Sequence, residues 1–240
     1  MGLARKTVGS MAGMRADTSA PALGDAAAEV REGYLRALLD ADLEAARRVL
    51  DDAVKAGLPV SAIYLEVLQP TLYEIGRLWS HAQISVAQEH LATAATQSAM
   101  ARLAESLADG RRRVRPGTAV VACVSDELHA VGGRMVADFL EADGWNVVFL
   151  GQLTPSHDVT ALAGEHGAQV VALSAALSER VPRVAEACAQ LRRLDPAPYV
   201  IVGGQAFGGS AERALRTGAD AFAADAQDAV RALRRRFPGA

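Results

Sequence analysis

The sequence predicts an α/β protein with an all-α N-terminal part: a four-helix bundle followed by a flavodoxin-like (Rossmann-like) five-stranded parallel sheet. Three observations predict it. From Asp25 to Asp109 apolar residues such as Leu35, Leu38, Leu39, Leu43 and Ala46 recur at three- and four-residue steps with little Gly or Pro, the period of helices with one buried face. Beyond residue 117, short β-branched runs alternate with amphipathic segments, the pattern of parallel strands joined by right-handed helical crossovers. Between the two regimes lies DGRRRVRPG, residues 109–117, whose charges, glycines and proline read as an interdomain linker.

In chain order, residues 1–24 mix charge, Gly and Ser without the continuous apolar core of a secretory signal, and are expected to be a flexible tail. Breaks at Gly57-Leu58-Pro59 and at Ser80–Gln83 divide residues 25–108 into helices over about 25–40, 42–56, 59–79 and 84–108. Pro70 should kink the third helix or force an irregular turn in it. The domain 118–236 carries the strands TAVVACV (118–124), WNVVFL (145–150), QVVAL (169–173), YVIVG (199–203) and ADAFA (219–223). Five such units suit the strand order 2-1-3-4-5, in which a ligand sits outside the carboxyl ends of the strands, near the point where the order reverses.

Composition narrows the function. Half of the 240 residues are hydrophobic and the formal charge is −3, which supports a well-buried core and argues against direct DNA binding, since neutralising phosphates calls for a basic excess. The local runs Arg111-Arg112-Arg113 and Arg234-Arg235-Arg236 read as a solvated linker and a helix C-terminus that suits cations. Cys123 and Cys188 lie far apart in apolar stretches, which suggests neither a disulfide framework nor a zinc site and fits a reducing cytoplasm. No apolar run approaches the length of a membrane span.

The chemistry gathers at the strand ends. SDELHAVGG, residues 125–133, follows the first strand and frames His129 with Glu127 on one side and Gly132-Gly133 on the other. A carboxylate two positions from an imidazole can accept the proton of one ring nitrogen and raise the basicity of the other toward a metal. Ser174 ends the third strand and Gly203-Gly204 the fourth; in the proposed order these ends are adjacent. Neither GxGxxG nor GxxxxGK[ST] occurs, which leaves a nucleotide cofactor of the usual kind unsupported. No nucleophile–base pair or paired catalytic carboxylates stand out, so the chain is not read as a conventional enzyme.

With these residues in hand, the C-terminal half resembles a cobalamin-binding domain, whose signature runs DxHxxG, SxL and GG. Here ELHAVG fills the first element, with forty-one residues between Gly132 and Ser174 and twenty-six between Ala176 and Gly203. Glu127 stands in place of Asp, and SAA replaces SxL, with Leu177 one place late. The resemblance implies that His129 is the lower ligand of the cobalt, Glu127 orients it, Val131, Gly132, Ser174 and Ala176 flank the cofactor's nucleotide tail, and Gly203 and Gly204 leave that tail room. Burying an aromatic tail of side-chain size stabilises such a complex by about 4 kcal/mol.

The bundle contributes a second resemblance. GRLWSHAQISVAQEHLA, residues 76–92, has nine residues between Trp79 and Glu89-His90, and this is similar to the helical cap of the cobalamin-dependent photoreceptors of the CarH group. It implies that Trp79, Glu89 and His90 form a lid over the upper ligand, and that the cofactor is adenosylcobalamin, with methylcobalamin as the alternative. In those relatives a histidine directly follows the tryptophan; here Ser80 does, with His81 next, so His81, water or neither caps the cobalt after illumination. The DNA-binding helix-turn-helix domain that precedes the bundle in the repressor members is not in this sequence. The implied function is a light-responsive sensor that signals by a change of homo-oligomer or through a transcription-factor partner. The competing expectations are a corrinoid methyl-carrier subunit of a methyltransferase system and a flavodoxin-like interaction module without a corrin.

Overall fold

A computed structural model describes residues 23–107 and 117–238; most of the expected tail, most of the linker and the Arg111–Arg113 run lie outside them, while Leu23 and Gly24, placed in the tail by the sequence, begin the first helix. The bundle comprises α1 (Leu23–Leu39), α2 (Leu43–Lys55), a third helix in pieces, and α5 (Val86–Leu107). Asp42 caps α2, its side chain accepting the Ala45 N–H at 2.8 Å, which satisfies one of the unpaired amides of the first turn. The third helix starts as α3 (Val60–Ala62), widens into a π-helical stretch (Ile63–Leu68) and resumes as α4 (Gln69–Ser80). The irregularity expected around Pro70 therefore lies just before it. Pro70 has no N–H to donate to the Glu66 carbonyl; Gln69 instead bonds back five residues to Tyr64, and Arg31 Nη1 reaches the Glu66 oxygen at 3.5 Å.

The second half is a parallel sheet of β1 (Thr118–Cys123), β2 (Asn146–Gly151), β3 (Val170–Ser174), β4 (Tyr199–Gly203) and β5 (Ala221–Ala223) in the order β2-β1-β3-β4-β5. The helices α6 (Val131–Ala142), α7 (Ser156–Glu165), α8 (Val181–Leu191), α9 (Ala211–Leu215) and α10 (Ala226–Arg236) cover it. Side chains alternate across the strands. Val121, Val170, Ala172 and Ile201 join a core continuous with α6, α10 and the bundle, while Val120, Val171, Leu173, Val200 and Val202 join one with α7 and α8. β5 is shorter than the sequence suggests because Asp220 accepts the Val200 N–H through its carboxylate, at 2.7 Å, rather than through its backbone.

Register sets the strand ends level: Cys123 pairs with Ser174, Ser174 with Gly203, and Gly203 with Ala223. The bundle is fixed to this frame by a buried polar contact. The Tyr64 hydroxyl, in the π-helical stretch, lies 2.9 Å from Asp138 Oδ2 on α6 and 3.0 Å from the Met100 carbonyl of α5, and its ring meets Phe139 edge-on with centroids 5.7 Å apart. Arg134 Nε donates to Asp138 at 2.7 Å. Asp138→Ala should lower stability by about 2 kcal/mol, because it removes the buried carboxylate that Tyr64 and Arg134 share and leaves the guanidinium only Glu141, at 3.0 Å, and Tyr64→Phe by about 1 kcal/mol; thermal melting checks the ranking.

The Arg234–Arg236 run is more structural than expected. Arg234 bonds Asp143 at 2.8 Å, and the Arg236 guanidinium lies over the Phe237 ring at 4.9 Å. Cys123 and Cys188 are buried and free, and burial pushes the Cys123 thiol up to about 12. Among the described residues no helix is long and apolar enough to cross a membrane.

Candidate functional site

The loop from β1 to α6 turns sharply at Asp126, whose φ is +66°. That conformation is uncommon for a residue with a side chain and tends to be held where geometry matters. It delivers Glu127 into the protein, 1 % exposed, and leaves Leu128 and His129 facing outward. Both Glu127 oxygens are used. Oε1 accepts the His129 N–H at 3.0 Å and lies 2.5 Å from His129 Nδ1; Oε2 accepts the Ala176 N–H at 2.8 Å. Burial by itself would raise the Glu127 pKa, but these hydrogen bonds, that of the His129 ring foremost, hold it at about 2. The carboxylate in turn raises the pKa of His129. With Nδ1 engaged, Nε2 is the nitrogen left free, on a side chain about half exposed.

Three strand-end loops meet here. Leu153, after β2, has φ +59° and donates its N–H to the Glu127 carbonyl at 3.1 Å; Ala176, after β3, holds the Glu127 carboxylate. Leu128, Leu153 and Leu177 on these loops are exposed. Large apolar side chains on polar loops are what an apolar disc would contact.

Beside this loop a narrow cleft of about 60 Å³ runs down between the sheet and the helices, lined by Gly132, Gly133, Ser174, Gly203 and Gly204, with Gln69 and Tyr73 of α4. A Cβ placed on Gly132 would meet only the Ser174 hydroxyl, at 3.8 Å, so the missing side chain there is open cleft. Gly203 and Gly204 answer to a different constraint. A Cβ on Gly203 would lie 2.7 Å from the Ala223 carbonyl oxygen, and one on Gly204, where φ is +105°, would collide with the Ala175 carbonyl. Both also line the cleft, and the sheet's own backbone demands glycine at these two positions in addition.

In the bundle, Trp79 lies in the last turn of α4, 47 % exposed, and Glu89 and His90 lie near the start of α5. Glu89 is braced on both sides, by Thr93 Oγ1 at 2.9 Å and by His90 Nδ1 at 2.6 Å. Its negative charge contributes to the raised pKa of His129, after the larger effect of Glu127. His81 Nδ1 sits 2.8 Å from the Arg77 carbonyl at the end of α4.

Comparison with known proteins interprets this geometry. The B12 binding domain pattern matches residues 117–234, and a second B12 binding domain pattern matches residues 30–104. The chain belongs to the cobalamin-binding domain family. Cobalamin is therefore its cofactor, and the arrangement on the page suits it. Among the described residues no group of three or more His, Cys, Asp or Glu could hold a bare metal ion. A single buttressed imidazole beside apolar loops suits a cobalt that arrives in its own macrocycle, and the cleft beside it suits a slender tail.

Two relatives of this cobalamin-binding chain differ in kind. It is 34 % identical over 129 residues to the HTH-type transcriptional repressor CarH of Myxococcus xanthus, across 54 % of this chain and 42 % of the repressor, so it spans about two fifths of that protein's length. It is 24 % identical over 197 residues to the trimethylamine corrinoid protein of Methanosarcina barkeri, across 81 % of this chain and 90 % of that one. In fold it superposes on the Methanosarcina barkeri monomethylamine corrinoid protein with a TM-score of 0.77 at 22 % identity, covering 88 % of this chain and 99 % of the other.

The structure thus gathers Glu127, His129, Val131, Gly132, Ser174, Ala176, Gly203 and Gly204 at one edge of the sheet, while Trp79 lies in the last turn of α4 and Glu89 and His90 near the start of α5. Sequence reading missed Gln69 and Tyr73, which hydrogen-bond each other at 2.7 Å at the cleft. Nothing in their helical spacing separates them from ordinary bundle positions.

Proposed function

We propose that this chain is an adenosylcobalamin-binding, light-responsive sensor that signals through a change of oligomer or a partner regulator. The observation that supports the reading is two braced carboxylate–imidazole pairs, Glu127–His129 on the β1–α6 loop and Glu89–His90 near the start of α5, with Trp79 exposed in the last turn of α4. In this reading His129 Nε2 is the lower cobalt ligand. Glu127 holds Nδ1 and so fixes the ring's tautomer and tilt. Ser174 and Gly132 border the nucleotide tail. Trp79 shields the upper ligand from water, and Glu89 and His90 offer an acceptor and a donor to its hydroxyls. When bound, adenosylcobalamin supplies a cobalt–carbon bond that light breaks. The lid, no longer supported by the upper ligand, must repack, and binding energy present in one state only is what shifts an equilibrium.

The similarity to CarH supports this reading, as does a lid tryptophan that would obstruct methyl transfer to a partner enzyme. The longer match to the trimethylamine corrinoid protein favours a second one, a corrinoid methyl carrier. One experiment separates them. Protein reconstituted with adenosylcobalamin in darkness should change both its absorbance spectrum and its gel-filtration position after green light. If light changes neither, and methylcobalamin on the protein gives up its methyl group in the presence of a methyltransferase, the carrier reading replaces the sensor.

A further inference from the structure

Among the arginines of the sheet domain, Arg180 is set apart. It ends the short 3-10 turn Ser178–Arg180 that follows β3, held at its start by the bond from Arg180 N to the Leu177 carbonyl at 2.9 Å and packed against the Gln205–Phe207 turn after β4. The side chain is partly buried, and its Nε–H is shielded from solvent with no hydrogen-bond partner. Arg183, one helical turn on, is fully used, pairing with Asp126 at 3.3 Å and Glu186 at 3.1 Å. The nearest site carboxylate, Glu127, is closed to Arg180, since its two oxygens are taken by His129 and the Ala176 N–H. Ala176, four residues earlier on the same loop, binds Glu127, and Arg183, three residues later, pairs with Asp126 of the β1–α6 loop, which places the Ser178–Arg180 turn beside the site.

A guanidinium has five donors and no acceptor, and a buried one without a partner is disfavoured unless an acceptor is brought to it. Loops elsewhere at this edge present leucines. Arg180 is the cation among them, and its planar fork suits an anionic or carbonyl oxygen.

We propose that Arg180 is a cofactor-binding residue that donates to an oxygen on the corrinoid's periphery, either the phosphodiester of the nucleotide loop or an amide carbonyl of the ring's side chains. This rests on the reading that the corrinoid sits against His129. The contact raises affinity and fixes the cofactor's rotation above the imidazole.

The test is a dark absorbance titration of unaltered protein and Arg180→Ala with adenosylcobalamin and with adenosylcobinamide, which lacks the nucleotide loop. A loss of affinity of about tenfold or more for adenosylcobalamin alone assigns the contact to the phosphodiester. An equal loss for both ligands assigns it to a ring amide. Thermal melting without ligand guards against a structural explanation: removing an unpaired buried donor should leave the melting temperature unchanged or raise it. Unchanged affinity for both ligands, or a lowered melting temperature that accounts for the loss, overturns the proposal. If unaltered protein binds adenosylcobalamin but His129→Ala leaves its spectrum untouched, the reading beneath the proposal is what fails.

Discussion

His129→Ala should abolish the histidine-ligated, base-off spectrum of the reconstituted protein and weaken cofactor retention by about a hundredfold or more, while the polypeptide stays folded. The two halves of that expectation have separate physical grounds. Losing the only imidazole on the loop removes the ligand itself, whereas losing an outer-shell partner such as Glu127 costs roughly ten- to a hundredfold in affinity; Glu127→Ala should therefore be the milder of the two for the metal. For the fold the order reverses. In His129→Ala the Glu127 carboxylate keeps the N–H groups of residue 129 and Ala176, so the loop retains its anchor. In Glu127→Ala two partly buried backbone donors lose their acceptor, at about 1 kcal/mol or more each if water does not replace it. Absorbance titration and thermal melting on the two variants should thus rank them in opposite orders. A His129→Ala protein with an unaltered spectrum would remove the imidazole from the metal and the sensor reading with it.

Much of the fold was legible because the sequence changes rhythm where the structure does. The 3.6-residue pattern up to Leu107 and the β-branched runs from Thr118 each bury one kind of surface, and the strand order follows from the crossovers. What periodicity could not carry was backbone chemistry. The shortening of β5 depends on one carboxylate, Asp220, substituting for a strand carbonyl, and the π-helical stretch depends on which carbonyl Pro70 leaves free. At the site, Glu127 and His129 were legible because the carboxylate is adjacent in sequence to the group it orients. Ala176 was only half legible. Its side chain sits where the family pattern has Leu, which raised doubt, yet it is the backbone N–H that grips Glu127, and any residue type supplies that. Arg180, Gln69 and Tyr73 were invisible because their roles depend on which cleft or loop the fold brings beside them.

Gly204→Ala should be the most damaging small substitution in the sheet domain, costing about 4 kcal/mol or more and leaving little soluble protein. At φ +105° an L side chain is strained before any contact is counted. The added carbon would also strike the Ala175 carbonyl oxygen and lie 2.9 Å from the Ala175 carbonyl carbon. That backbone has nowhere to go: the Ala175 N–H donates to the Gly203 carbonyl at 3.1 Å and its oxygen accepts the Ala206 N–H at 3.2 Å. Pushing Ala175 aside displaces Ala176, whose N–H holds Glu127, so whatever fraction of the variant folds should also bind cobalamin poorly. Gly132→Ala provides the contrast. Its Cβ meets nothing nearer than the Ser174 hydroxyl at 3.8 Å, and alanine suits the first turn of a helix, so the protein should melt at or above its normal temperature. The methyl group, however, protrudes into the cleft. Cofactor binding should fall without loss of fold. Should Gly204→Ala melt normally and lose only cobalamin, as Gly132→Ala is expected to, then that glycine serves the tail rather than the sheet.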